Sequence, residues 1–239
     1  STLANAWTHL GTNVRGWSSG EVVFSVNPTN CGISEAALYD VVDRALNAWN
    51  GVPTSKLRLS RNPVASTTTS SDFLDFLATD APVIVCETNM TGEGADPQSI
   101  PGFMTNLRTN ADGNITYAGI VLNAEPGANN ANLENLSSSE ISITLAHEIG
   151  HALGIGHSGV QEALMYYSIS NKPDAVITED DMDAVTAIYP KSDFSGSPMG
   201  CASVHHETSP REQLPELAFL ALFFVSLVFV VKVLAGARS

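Results

Sequence analysis

His147-Glu148-Ile149-Gly150-His151-Ala152-Leu153-Gly154-Ile155-Gly156-His157 is the stretch whose reading decides the fold. On an α-helix, residues four apart share a face, with Cβ atoms about 5–6 Å apart, so His147 and His151 can aim their imidazoles at one point. Glu148 lies about 100° round from His147, beside that point rather than on it. Gly154 has no Cβ and can take the left-handed conformation that ends a helix and turns the chain sharply. The turn lets His157 return to the same point. Three imidazoles with a fourth position open is the catalytic pattern of zinc, whereas structural zinc is normally closed by four protein ligands. The placement of Glu148 suits a carboxylate acting as a base on water at the metal. For these to be ordinary core histidines, three of the chain's six would have to fall on ligand spacing by accident.

Upstream of this stretch, Ser137 with Glu140 three residues later forms a capping box, so the helix is expected to open there and run to about Leu153. Ser34 is a plausible N-cap for an earlier helix to about Asn50, with Gly51 as its stop. Leu38, Val41, Val42, Ala45, Leu46 and Trp49 recur at helical spacing, so this helix should lay one apolar face across a sheet. Strands are expected at residues 21–26, 56–61, 82–87, 103–108 and 115–123, with a Ser/Thr-rich turn at 66–71 and Gly- or Asn-rich loops at 91–101 and 124–136. A last helix is expected over 179–188, opened by Thr178 and Asp181 and ended by Pro190. The order defines an α+β domain over roughly residues 1–192.

Bulk properties narrow the function classes. A net charge of −14 with only 11 basic residues argues against nucleic acid as a partner, since phosphate contacts need clustered Lys and Arg. None of the three cysteines, Cys31, Cys86 and Cys201, lies at metal-binding C-x-x-C spacing. In an oxidising compartment Cys31 and Cys86 could pair, leaving Cys201 odd; in a reducing one all three would be free thiols.

The long motif, Ser158 after its last histidine, the segment Ala163-Leu164-Met165-Tyr166 and the run Thr178-Glu179-Asp180-Asp181-Met182 through Ile188-Tyr189 resemble the matrixins, within the metzincin superfamily. The resemblance implies a metzincin-like mixed twisted sheet with a long active-site helix and a C-terminal helix. It also implies one catalytic Zn2+ on His147, His151 and His157, Glu148 as the catalytic residue, and a Met-turn placing Met165 beneath the metal. The implied activity is hydrolysis of a peptide or protein bound extended along a sheet edge, for which residues 103–108 are the candidate. Matrixins usually carry Pro two residues after the Met, where this chain has Tyr167. In other metzincins a Tyr at that offset reaches the zinc, which makes Tyr167 a candidate extra ligand or transition-state donor; a pocket wall is the simpler reading. The second, histidine-bound zinc of vertebrate matrixins is not expected, since only His9, His205 and His206 lie outside the motif. Ca2+ is compatible with loop carboxylates such as Asp96, Asp112 and Glu125, although no EF-hand spacing exists and solvated side chains explain them more simply.

Residues 193–216 read as a polar linker, and residues 217–237 as an apolar run interrupted only by Ser226 and Lys232. That is the length of a single transmembrane helix of about 20 residues, or of a sorting helix. Glu212 and Glu216 precede the run while Lys232 and Arg238 fall at its far end, so the positive-inside bias places the domain outside the cell. Cys201 resembles the processing point of bacterial sorting tails. Two other classes compete with an anchored extracellular hydrolase: a zinc-binding surface module with little catalysis, and an intramembrane protease. The last wants its motif inside an apolar span, which this chain does not provide.

Overall fold

A computed structural model describes residues 6–63, 81–169 and 172–191, all within a compact unit spanning residues 1–197. Its elements are, in order, β1 (Trp7–His9), β2 (Glu21–Val26), α1 (Glu35–Asn50), β3 (Arg58–Pro63), β4 (Val83–Glu87), β5 (Gly102–Thr109), β6 (Ile115–Asn123), α2 (Ser138–Ala152), β7 (Ile155–Ser158) and α3 (Glu179–Ile188). Five strands form one mixed sheet in the order β3-β2-β4-β6-β5. Its pairs are parallel except at the β5 edge, which runs antiparallel to β6.

The periodicity of α1 has the consequence expected of it. Leu38, Val41, Val42, Ala45, Leu46 and Trp49 are all buried, in one core with Phe24, Ile84, Ile120 and Leu122 of the sheet. Ser34 accepts from the Ala37 N–H at the N-cap. Gly51 caps the other end with φ −71°, a conformation open to any residue, so its part here is hydrogen bonding to the Asn47 and Ala48 carbonyls rather than a left-handed turn. Helix α2 opens on the reciprocal Ser137–Glu140 box. It is buried on every side from Ile141 to Gly150, because α1 and the sheet enclose it. The Trp49 indole donates to the Ala146 carbonyl at 2.8 Å and ties the two helices together. At the end of α2, where carbonyls lack helical partners, Trp17 Nε1 donates to the Ala152 carbonyl and the Tyr189 hydroxyl to that of Leu153.

Pairing partners moved several strand boundaries. β3 starts at Arg58, two residues later than expected, because its ladder runs from Glu21↔Arg58 to Val26↔Pro63, while the Lys56 N–H is taken by the Tyr189 carbonyl. β5 is longer than expected and carries an irregularity between Thr105 and Arg108, with Asn106 at φ 52°. The two-stranded sheet of β1 and β7 was not expected, since strands of 3 and 4 residues carry no pattern that periodicity can detect. The turn expected at 66–71, the linker, Cys201 and the apolar run at 217–237 lie outside the described residues. Among the described residues no helix is long and apolar enough to cross a membrane.

Cys31 and Cys86 form a disulfide across 55 residues of sequence, with Cα atoms 5.0 Å apart, joining the entry of α1 to the end of β4. Closing a loop of that length removes conformational freedom mainly from the unfolded chain, so replacing both cysteines by Ala is expected to cost about 2–4 kcal/mol. Urea denaturation of the double variant checks this; an unchanged midpoint would mean the bridge contributes nothing.

Candidate metal centre

α2 delivers His147, Glu148 and His151 on adjoining positions, and the chain leaves it through Leu153 and Gly154. Gly154 sits at φ +95°, as the sharp return requires, with its N–H on the His151 carbonyl at 2.9 Å. β7 then carries His157 back. One ligand nitrogen from each of the three rings lies within 4.8 Å of the others. Among the described residues this is the one group of three or more His, Cys, Asp or Glu side chains placed to share an ion.

The rings suit a cation. His147 Nδ1 lies 2.8 Å from the Leu164 carbonyl, and His151 Nδ1 lies 2.8 Å from the Ile155 carbonyl. A carbonyl only accepts, so each Nδ1 carries the proton and leaves the Nε2 lone pair for a metal. Burial, reinforced by the neighbouring imidazoles, drives the pKa of His147 down to about 3 and that of His151 to about 4; burial also lowers that of His157. All three are therefore neutral at physiological pH, the form in which imidazole binds metal. This donor set, three neutral imidazoles without thiolate, fits zinc.

Glu148 is 8% exposed, and its Oε2 accepts from the Met104 N–H of β5 at 2.7 Å. Burial raises its carboxyl to about 8, against the pull of that N–H. A cation beside it favours the ionised form.

Residues later in the chain pack against α2 near the site. Met165 is fully buried, and its room exists because residue 150 is Gly: a Cβ there would meet Met165 Sδ at 2.2 Å and Trp49 Cζ2 at 2.9 Å. Gly150→Ala would gain about 0.5–1 kcal/mol of helix propensity, but overpacking of this kind costs about 1–3 kcal/mol. We expect the clash to win and lower the melting temperature; a variant melting at or above the wild type would contradict this packing.

Asp181, fully buried, accepts from the N–H groups of Leu164 and Met165 and from the N–H and hydroxyl of Thr178. It thereby holds the same Leu164 whose carbonyl orients His147. Asp180 accepts from the Ser158 hydroxyl at 2.6 Å and the Ala6 N–H at 2.9 Å. The Thr178–Asp181 pairing was legible as a helix start, but the bonds from Asp181 to Leu164 and Met165 and from Asp180 to Ser158 and Ala6 were not, because acids in the first turn of a helix need no explanation beyond capping and the helix dipole.

Tyr167 is 69% exposed, with its ring 4.3 Å from that of Tyr166. It lines a cleft of about 240 Å³ together with His147, Glu148, Pro101, Gly102 and Ile169. Asp96, Asp112 and Glu125 fall in separate loops. Asp96 accepts from Ser99 and the Gln98 N–H, and Glu125 from Thr91, and neither belongs to the group of three histidines.

A helix presenting His147 and His151 and a glycine turn returning His157 thus bring three imidazoles to one point. Residues 88–190 match the sequence model of the matrixin family. Interstitial collagenase of Bos taurus is 44% identical over 55 residues, covering 23% of this chain and 12% of the relative. Metalloendoproteinase 2-MMP of Arabidopsis thaliana is 36% identical over 63 residues, covering 26% and 17%. Matrix metalloproteinase-20 of Homo sapiens is 25% identical over 202 residues, covering 81% of this chain and 36% of its own length. The chain thus spans well under half the length of these relatives.

Proposed function

We propose that the protein is a zinc-dependent endopeptidase, and the observation that carries this is the buried carboxylate of Glu148 set beside three convergent neutral imidazoles. His147, His151 and His157 would hold the ion, with Met165 packed beneath them. When bound, zinc supplies the Lewis acidity that activates water and polarises a carbonyl at neutral pH. Glu148 takes a proton from the attacking water as its oxygen bonds to the scissile carbonyl carbon. It passes that proton to the leaving amine nitrogen as the C–N bond breaks. The substrate lies extended along β5, an edge strand of the sheet among the described residues, whose Met104 N–H donates to Glu148. Its side chains meet the cleft under Tyr167 and an adjoining cavity of about 350 Å³ that shares Ser99, Pro101 and Ile169 with it. Tyr167 lines that cleft as a wall, and donation from its hydroxyl to a carbonyl oxygen is its second role in this reading.

Residues 1–192 form the catalytic domain in this reading, 193–216 a linker and 217–237 a single-pass membrane or sorting helix that tethers it outside the cell. The Cys31–Cys86 bridge supports an oxidising compartment. Ca2+ remains a loop-bound option, and nucleic acid is not a partner in this reading.

Cleavage of a mixed peptide library by zinc-loaded protein tests the proposal. Chelation should abolish cleavage and added zinc restore it. If the loaded protein cleaves nothing beyond the Glu148→Ala background while retaining zinc, the alternative of a catalytically weak surface-binding module stands instead.

A further inference from the structure

We infer that β1 is a positioning strand for the third ligand, with Thr8 acting through the backbone of His157; this rests on the three-histidine reading above. His147 and His151 are each fixed twice, by a buried helix and by a carbonyl on Nδ1. His157 has neither restraint. It is the exposed member of the three, and its ring makes no hydrogen bond among the described residues. Apart from its contacts with the other two imidazole rings, its position is therefore set by its main chain.

That main chain is held by residues 6–10. The Thr8 hydroxyl donates to the His157 carbonyl at 2.9 Å. Before the ligand, the Leu10 N–H donates to the Gly154 carbonyl at 2.9 Å, on the turn itself. After it, the Gly159 N–H donates to the Ala6 carbonyl at 3.0 Å. Asp180 fastens this end by accepting from both the Ala6 N–H and the Ser158 hydroxyl. Gly156 makes the close approach possible, since a Cβ there would stand 2.4 Å from Thr8 Oγ1 and 2.8 Å from the His9 carbonyl oxygen. Apart from β1, the one strand-type pairing of β7 among the described residues is the single bridge Ser158–Tyr166.

A ligand that wanders must be ordered when the metal binds, and that ordering reduces affinity. Thr8 is thus a positioning residue whose effect should be read in metal affinity rather than in turnover alone. We would measure zinc affinity by competition with a chromophoric chelator. Thr8→Val keeps the β-branch and removes the donor; it should weaken zinc about threefold to tenfold, the worth of one partly exposed hydrogen bond. Thr8→Ser should restore wild-type affinity, and Gly156→Ala, which forces β1 away, should weaken it further than Thr8→Val does. In a His157→Ala background, Thr8→Val should have no additional effect. Wild-type affinity in Thr8→Val, or an equal loss in the His157→Ala background, overturns the positioning role and leaves the metal site standing. Full zinc affinity in His157→Ala overturns the three-histidine site and this inference with it.

Discussion

Glu148→Gln should lower peptide hydrolysis by about 10²- to 10⁴-fold, the usual worth of a positioned general base, while zinc stays bound. Glutamine is nearly isosteric and keeps an oxygen to accept the Met104 N–H, now at 2.7 Å. It cannot take a proton from water. Burial already disfavours the charged carboxylate of Glu148, so the neutral amide should leave the fold at least as stable. The measurement pairs initial rates on a cleaved peptide with zinc content and melting temperature. Loss of activity accompanied by loss of zinc or of folding would assign Glu148 a structural part, and retained activity would remove it from the chemistry.

Asp181→Ala should be the most damaging single change outside the histidines. It leaves the Leu164, Met165 and Thr178 donors without their acceptor in a fully buried place. Each unsatisfied buried donor costs about 1–3 kcal/mol, and because neighbours relax together the total should be about 3–5 kcal/mol. Small domains have only about 5–15 kcal/mol of stability, so the variant would lose a large share of its margin. Urea denaturation followed by near-ultraviolet circular dichroism reads this directly. Asp181→Asn keeps one acceptor and should fall between the two. A midpoint for Asp181→Ala within a few tenths molar of the wild type would show that the Met165 turn holds itself.

The helices were legible because their signals are local. Ser34, Ser137 and Thr178 each stand immediately before the helix they open, and α1 declares its buried face through spacing alone. β6 was legible as well, at Ile115–Asn123, because nine residues rich in β-branched and aromatic side chains lie between turn signals. β1, β7 and the start of β3 were not. Their limits depend on a partner strand many residues away, and no window of sequence contains both halves of a ladder.

The metal centre divides the same way. Spacing alone placed His147, Glu148 and His151 together, because an α-helix converts separation in sequence into position on a face. It also gave Gly154 its task, since only a residue without Cβ turns so freely. What holds those groups in place was decided by tertiary structure. Gly150 accommodates Met165, Asp181 orients Leu164 and hence His147, and Thr8 steadies the carbonyl of His157. Each of these depends on packing between segments that only folding brings into contact. The reactive groups are therefore written in 11 consecutive residues, 147–157, while the precision of their arrangement is distributed from Ala6 to Tyr189.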